Sequence, residues 1–291
     1  MVIYVGTLAA VAVSTVVTSL GQGAGEQLFA GVRSAVDKGY DAITDQQTVS
    51  VTAIVERDQN IQGETWVLPE PLTATADEER LLANPYSTTH DMDAGDIEPL
   101  RSWARGRGGA DPEVSFLKLV VEGRLKSTTV RIVNIKASVV RRGEPLAGTL
   151  LMAGPQGGDT LTSIGFDLDE NEPVARTLDG KTGKFGSPYF STQETTTLSH
   201  GEQVVFQITA RTERHYVEWC VELQLVVDRK LESYRTCPNG KAMRTTAFHE
   251  RPGPRGKPEV DPRAYQTLYV WAWDIFPNRF MRQDPRTYQW R

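Results

Sequence analysis

Alternation of apolar and polar side chains dominates this chain, and it is cleanest in the last third. After a Gly201-Glu202 turn, Gln203 to Arg211 alternates as a strand with one face in a core should. Tyr216 to Val227 continues in the same valine- and aromatic-rich vocabulary, meets the polar pair Asp228-Arg229, and resumes as Leu231 to Cys237 before Pro238-Asn239-Gly240. The economical reading is a hairpin. If Asp228 and Arg229 are its two loop residues, the register places the only two cysteines, Cys220 and Cys237, directly opposite each other. Counted outward from the turn they form a non-hydrogen-bonded pair, with Cα atoms about 4.5 Å apart, within reach of a disulfide. Against this, Asp-Arg is a poor primed turn without Gly or Asn, and a three-residue loop with a bulge would break the register. The alternatives are a cross-strand disulfide and two buried reduced thiols.

Earlier in the chain, Thr48 to Val55 alternates as a first strand, and Val114 to Val121, Thr128 to Val140, Thr149 to Met152 and Thr160 to Leu168 read as further strands. Shorter runs follow at Val174 to Leu178, Tyr189-Phe190 and Thr195 to Leu198. Turn-punctuated short strands almost without helix predict a mainly β fold, an antiparallel β-sandwich for which immunoglobulin-like is the nearest common architecture by pattern. Residues 47–250 are assigned to this sandwich, with a long loop insertion at 58–111. That insertion carries Pro69, Pro71, Pro85 and Pro99, an acidic patch ending in Glu98, a basic one at Arg101, Arg105 and Arg107, and short helices expected near 77–82 and 96–105. A loop of this length inside one domain points to a functional insertion or to partial disorder.

A different pattern precedes the sandwich. Val2 to Leu20 contains no charge and, as a helix, just reaches across a hydrocarbon core of about 30 Å, so residues 1–21 are read as a transmembrane helix or signal anchor. A cleaved signal peptide would begin with a basic region, and this segment has no Lys or Arg before Arg33. Gly6, Ala10, Ser14 and Thr18 form a small-residue stripe suited to homo-oligomer contacts between such helices. In residues 22–46, Leu28, Phe29, Val32, Val36, Tyr40 and Ile43 recur at helical spacing, an amphipathic juxtamembrane helix. Arg33 and Lys38 on the following flank argue for a cytoplasmic large domain, while a disulfide argues for an extracytoplasmic one. The extracytoplasmic placement is the expectation, in a single-pass cell-membrane protein that contacts the bilayer through residues 2–20.

Residues 251–291 begin with a Pro/Gly linker, Arg251 to Pro258, and continue with dense aromatics. Tyr269, Trp271 and Trp273 fall at period two, as in a last strand covering the sandwich; together with Phe276 and Trp290 they are also the candidate binding surface for a protein or glycan.

Charge and motifs narrow the function classes. With 32 basic and 37 acidic residues the net charge is -5, which offers no basic field for nucleic acid. His90, His200, His215 and His249 lack ligand spacing, so neither a metal nor another cofactor is expected. Asp167-Leu-Asp169-Glu-Asn171 begins like a calcium loop but lacks its glycine at the sixth position and the closing glutamate. His90-Asp91-Met92-Asp93 is the one acid/base pairing legible in the long loop. The expectation is a non-enzymatic, membrane-anchored binding protein. The alternatives are an enzyme with its site in the 58–111 loop and a structural protein that self-assembles.

Overall fold

The computed structural model describes residues 47–57, 62–85, 97–154, 164–179, 182–191, 195–253, 256–273 and 279–290. The segments read as membrane-spanning and amphipathic helices, the small-residue stripe, the His90 motif and Phe276 lie outside them. No helix among the described residues is long and apolar enough to cross a membrane.

The fold is mainly β, with two large sheets face to face. The first has the order β1-β4-β11-β7-β8-β9, from β1 (Val49–Glu56), β4 (Val114–Gly123), β7 (Ile164–Asp167), β8 (Arg176–Leu178), β9 (Phe185–Pro188) and β11 (Gln203–Arg211). The second has the order β10-β5-β12-β14-β3, from β3 (Asp111–Pro112), β5 (Val130–Gly143), β10 (Thr196–Leu198), β12 (Tyr216–Val227) and β14 (Met243–Thr246), with β13 (Lys230–Thr236) also on β12. Alternation carries every second side chain inward: Leu117, Leu119 and Val121 from β4 and Phe206 and Ile208 from β11 meet Val217, Trp219, Val221 and Leu223 from β12. Each such aliphatic or aromatic side chain contributes about 1.5–3 kcal/mol by leaving water. Trp219, fully buried, meets Phe166 edge to face at 5.9 Å between centroids and donates its indole N–H to Thr245 at 3.0 Å.

The β12–β13 hairpin has the anticipated register, with Val227 opposite Lys230. Asp228 and Arg229 both adopt positive φ, 47° and 65°, so this pair makes the primed turn despite its unpromising chemistry. Cys220 and Cys237 are disulfide-bonded with Cα atoms 4.7 Å apart. The bond joins neighbouring strands of one sheet rather than the two sheets.

Three features depart from the sequence reading. The sheets are mixed, because β11 pairs parallel to β7 and β14 parallel to β3. Beside the sandwich stands a further sheet, order β18-β17-β6-β2, from β2 (Trp66–Leu68), β6 (Thr149–Met152), β17 (Thr267–Ala272) and β18 (Arg279–Gln283). One face of it packs on α1 (Ala76–Ala83) and α2 (Glu98–Gly106) through Trp66, Leu151, Tyr269, Trp271 and Phe280 against Leu82 and Leu100. The other face covers Val67, Leu150, Tyr265 and Leu268. The Pro/Gly stretch read as a linker carries a small hairpin, β15 (Glu250–Pro252) with β16 (Pro258–Val260).

Candidate functional site

The seam between the sandwich and the helical layer is organised by Arg57, the residue that follows β1. Its side chain is 2 % exposed. The guanidinium donates to Asp111 at 2.6 Å, to the Gly63 carbonyl at 2.9 Å and to the Thr65 carbonyl, and its Nε lies 3.3 Å from Glu64. It also stacks on Trp66, 4.0 Å from the ring centroid. Glu64 accepts in addition from Arg101 of α2, and Asp111 accepts from Ser115 at 2.8 Å. Ser115 lies 2.7 Å from Thr245, which holds the Trp219 indole. A continuous polar chain therefore runs from the helical layer to the centre of the sandwich. Burial pushes the Arg57 guanidinium down and the Asp111 carboxyl up, each opposed by the attraction of the other.

Above this network opens a cleft of about 700 Å³. Its walls are β1 from Thr52 to Val55, the α2 face with Glu98, Ser102 and Arg105, and the segment Pro238 to Arg244 that leads into β14. Ala53, Val55 and Met243 belong to the margin of the sandwich core and give the cleft an apolar side. Its carboxylates are already engaged, Glu98 with Arg105 at 2.8 Å and Asp111 with Arg57. Arg244 lies 3.7 Å from Glu218 and donates to the Arg105 carbonyl at 3.3 Å, and Lys241 has no side-chain partner among the described residues. Trp66 also lines the cleft; Arg105 lies over its ring at 5.7 Å, and its buried indole N–H has no acceptor among the described residues. The volume falls within the range of about 300–1,000 Å³ usual for ligand sites.

The Cys220–Cys237 bond fixes one wall. Pro238-Asn239-Gly240 follows Cys237 directly as a short 3-10 turn, with Asn239 at φ 50° and Gly240 at φ 72°. The disulfide thus anchors the loop that presents Lys241.

The sequence-derived aromatic candidates are divided among different environments. Tyr269 and Trp271 are buried against α1 and α2, where Trp271 meets Phe280 edge to face at 5.0 Å. Trp273 is 58 % exposed and stands 5.9 Å from the Trp271 ring. Trp290 packs on the opposite face of the sheet and donates its indole N–H to the Val260 carbonyl at 2.8 Å. Of the calcium-like run, Asp169 ties down the β11–β12 turn: it accepts from Thr212 and His215 at 2.7 Å and from the Glu213 N–H at 2.8 Å. Burial opposes ionisation there, but these three bonds together hold its carboxyl below the usual range.

No family model, no characterised protein and no solved structure matches this chain.

The cleft residues escape sequence reading because they come from four stretches joined only by the fold. One local signal existed: the basic run Arg101, Arg105 and Arg107 beside Trp103, of which Arg101 and Arg107 meet the buried acids Glu64 and Glu78, while Arg105 pairs with the exposed Glu98 of its own helix.

Proposed function

We propose that this is a membrane-anchored, non-enzymatic interaction protein that takes a partner segment into the cleft between β1, α2 and the Pro238–Arg244 loop. The observation that carries the reading is the pairing of an apolar side, Ala53, Val55 and Met243, with the cationic groups Lys241 and Arg244 whose charge is incompletely matched. Such a surface favours a ligand bearing both apolar and acidic groups. The sandwich serves here as an immunoglobulin-like scaffold, rigid behind the recognition edge, and residues 2–20 act as its tether. The Cys220–Cys237 bond supports an extracytoplasmic position, because such bonds persist in oxidising compartments.

The test is selection of a displayed random-peptide library on the full-length protein. The reading expects enriched peptides rich in acidic and apolar residues, whose affinity falls about tenfold on Lys241→Glu, a loss of about 1.4 kcal/mol. A Leu231→Ser control on β13, remote from the lining residues, leaves affinity unchanged. Enrichment of peptides indifferent to Lys241→Glu, or no enrichment at all, would overturn the assignment.

A further inference from the structure

Strand edges are templates for pairing, and folded proteins blunt them with short length, proline or charge. Among the described strands nearly every edge obeys this rule. β9 ends in Pro188, β3 is two residues long and ends in Pro112, β10 and β2 have three residues each, and β15 and β16 contain Pro252 and Pro258. β13 carries Lys230, Glu232 and Arg235, and β18 carries Arg279 and Arg282.

β1 is the exception. It is an edge strand of eight residues, Val-Ser-Val-Thr-Ala-Ile-Val-Glu, with no proline and no charge before Glu56. Its ladder with β4 runs from Val49 opposite Gly123 to Glu56 opposite Phe116 without a bulge. The direction of its free groups can be read from one bond. The Arg124 N–H reaches the Thr48 carbonyl at 3.2 Å, which makes Thr48/Arg124 a hydrogen-bonded pair. By alternation Ser50, Thr52, Ile54 and Glu56 then bond to β4, while Val51, Ala53 and Val55 turn their N–H and C=O outward. The cleft opens along this outward side, from Thr52 to Val55.

From this edge we infer that the cleft's occupant is an extended peptide segment with alternating apolar and acidic residues, which adds to β1 as a further strand. Main-chain bonds to Val51, Ala53 and Val55 supply affinity in this mode of recognition, and alternate side chains supply specificity. One set of the added side chains enters the slot beside Ala53, Val55 and Met243, continuing the inward face of the sheet. Acidic residues in the segment meet Lys241 and Arg244 on the opposite wall. The inference rests on the cleft reading above and names its ligand.

The experiment measures fluorescence anisotropy of a labelled peptide of alternating valine and glutamate on the full-length protein in detergent micelles. Two forms of the peptide carry N-methyl groups on alternate amides, one on each edge of the strand. Strand addition expects binding of the parent, at least about tenfold loss with one methylated form, and retention with the other. Ala53→Pro deletes an outward N–H without touching the β4 ladder and abolishes binding in a protein that still melts cooperatively. If that variant fails to fold, the methylated pair alone decides.

Equal binding of both methylated forms, still sensitive to Lys241→Glu, would overturn strand addition and leave the cleft reading standing. Absence of binding by the parent peptide would overturn the inference, and joined to a failed library selection it would remove both. Dimerisation that is abolished by Ala53→Pro and excludes the peptide would assign the edge to a second copy of the chain and overturn the inference too.

Discussion

The sandwich and the layer beside it solve the burial problem with different materials. The sandwich core is made of aliphatic side chains from long strands, closed at its centre by Trp219 and Phe166. The neighbouring sheet is made of strands of three to six residues drawn from positions 66 to 283, and its core leans on Trp66, Tyr269, Trp271 and Phe280. Short strands bury little area each, so large rings make up the difference. Their partners also lie far apart in sequence, so loop-closure entropy is spent before any contact forms. Where the two regions meet, the buried ions around Arg57 join them, with the Trp66 ring stacked on the guanidinium. The contrast teaches that the sandwich is self-sufficient, whereas the layer depends on the seam.

The sharpest way to break this picture is Arg57→Ala. It strands Asp111 and Glu64 without their shared cation, and removing one partner of a buried pair costs about 3–5 kcal/mol. The loss should fall first on the layer. Urea unfolding followed by tryptophan fluorescence and by far-ultraviolet circular dichroism should give coincident transitions in the natural protein and separated ones in the variant. A variant within about 1 kcal/mol of the natural protein, with transitions still coincident, would show that the seam is incidental.

Removal of the disulfide probes the other side of the comparison. The Cys220→Ser/Cys237→Ser variant opens a link between residues 17 apart, worth about 3 kcal/mol on the chain-entropy account. The cost should appear as a lower midpoint for the sandwich transition, while Trp103 and Trp271 in the layer report no separate change. A layer that unfolds first in this variant would contradict the division drawn above.

The same contrast governs what could be read before the fold was in view. In β4, β5, β11, β12 and β13 each strand is long enough for alternation to declare itself, and a two-residue turn placed the cysteines opposite each other while leaving disulfide and free thiols as alternatives, of which the structure has the disulfide. Both helices of the insertion were expected, near 77–82 and 96–105, and in the structure a Thr75 and Glu78 capping box starts α1. What stayed hidden was pairing at a distance. Nothing in Trp66–Leu68 or Thr149–Met152 announces that they adjoin, nor that Thr267–Ala272 runs parallel to the latter. Likewise the aromatic C-terminal stretch gave the need for burial but not its partner, which proved to be α1 and α2. The cleft was illegible for the same reason, because Thr52, Arg105 and Lys241 share a surface only after three separate elements have docked.

A smaller test stays within the layer. Glu78 joins α1 to α2: it accepts from the Thr75 N–H at 2.9 Å, from the Trp103 indole at 2.9 Å and from Arg107. The Thr75 and Trp103 bonds, then Arg107, hold its carboxyl down to about 2, against burial and below an ordinary value near 4.5. A depressed acid stabilises fully above its unfolded value and loses that contribution as pH falls. Tryptophan fluorescence should therefore report loosening of the layer between about pH 4.5 and pH 2, ahead of the sandwich signal. Glu78→Gln should lower stability at neutral pH by about 1–2 kcal/mol and flatten that acid response. An unchanged acid profile in the variant would assign the loosening to other carboxylates.

The smallest expected effect lies in the β12–β13 turn and has the opposite sign. Arg229 sits at φ 65°, where a side chain costs roughly 1–2 kcal/mol that glycine avoids. Glycine also frees the unfolded chain, returning about 0.4–1 kcal/mol of that gain. Arg229→Gly should thus stabilise by about 0.5 kcal/mol, seen as a higher denaturation midpoint at unchanged slope. In the Cys220→Ser/Cys237→Ser background the gain should persist, because the turn and the crosslink act on the register independently. A loss of stability in either background would mean that the Arg229 side chain holds the turn through its own contacts, and the hairpin would owe its register to the strands rather than to the loop.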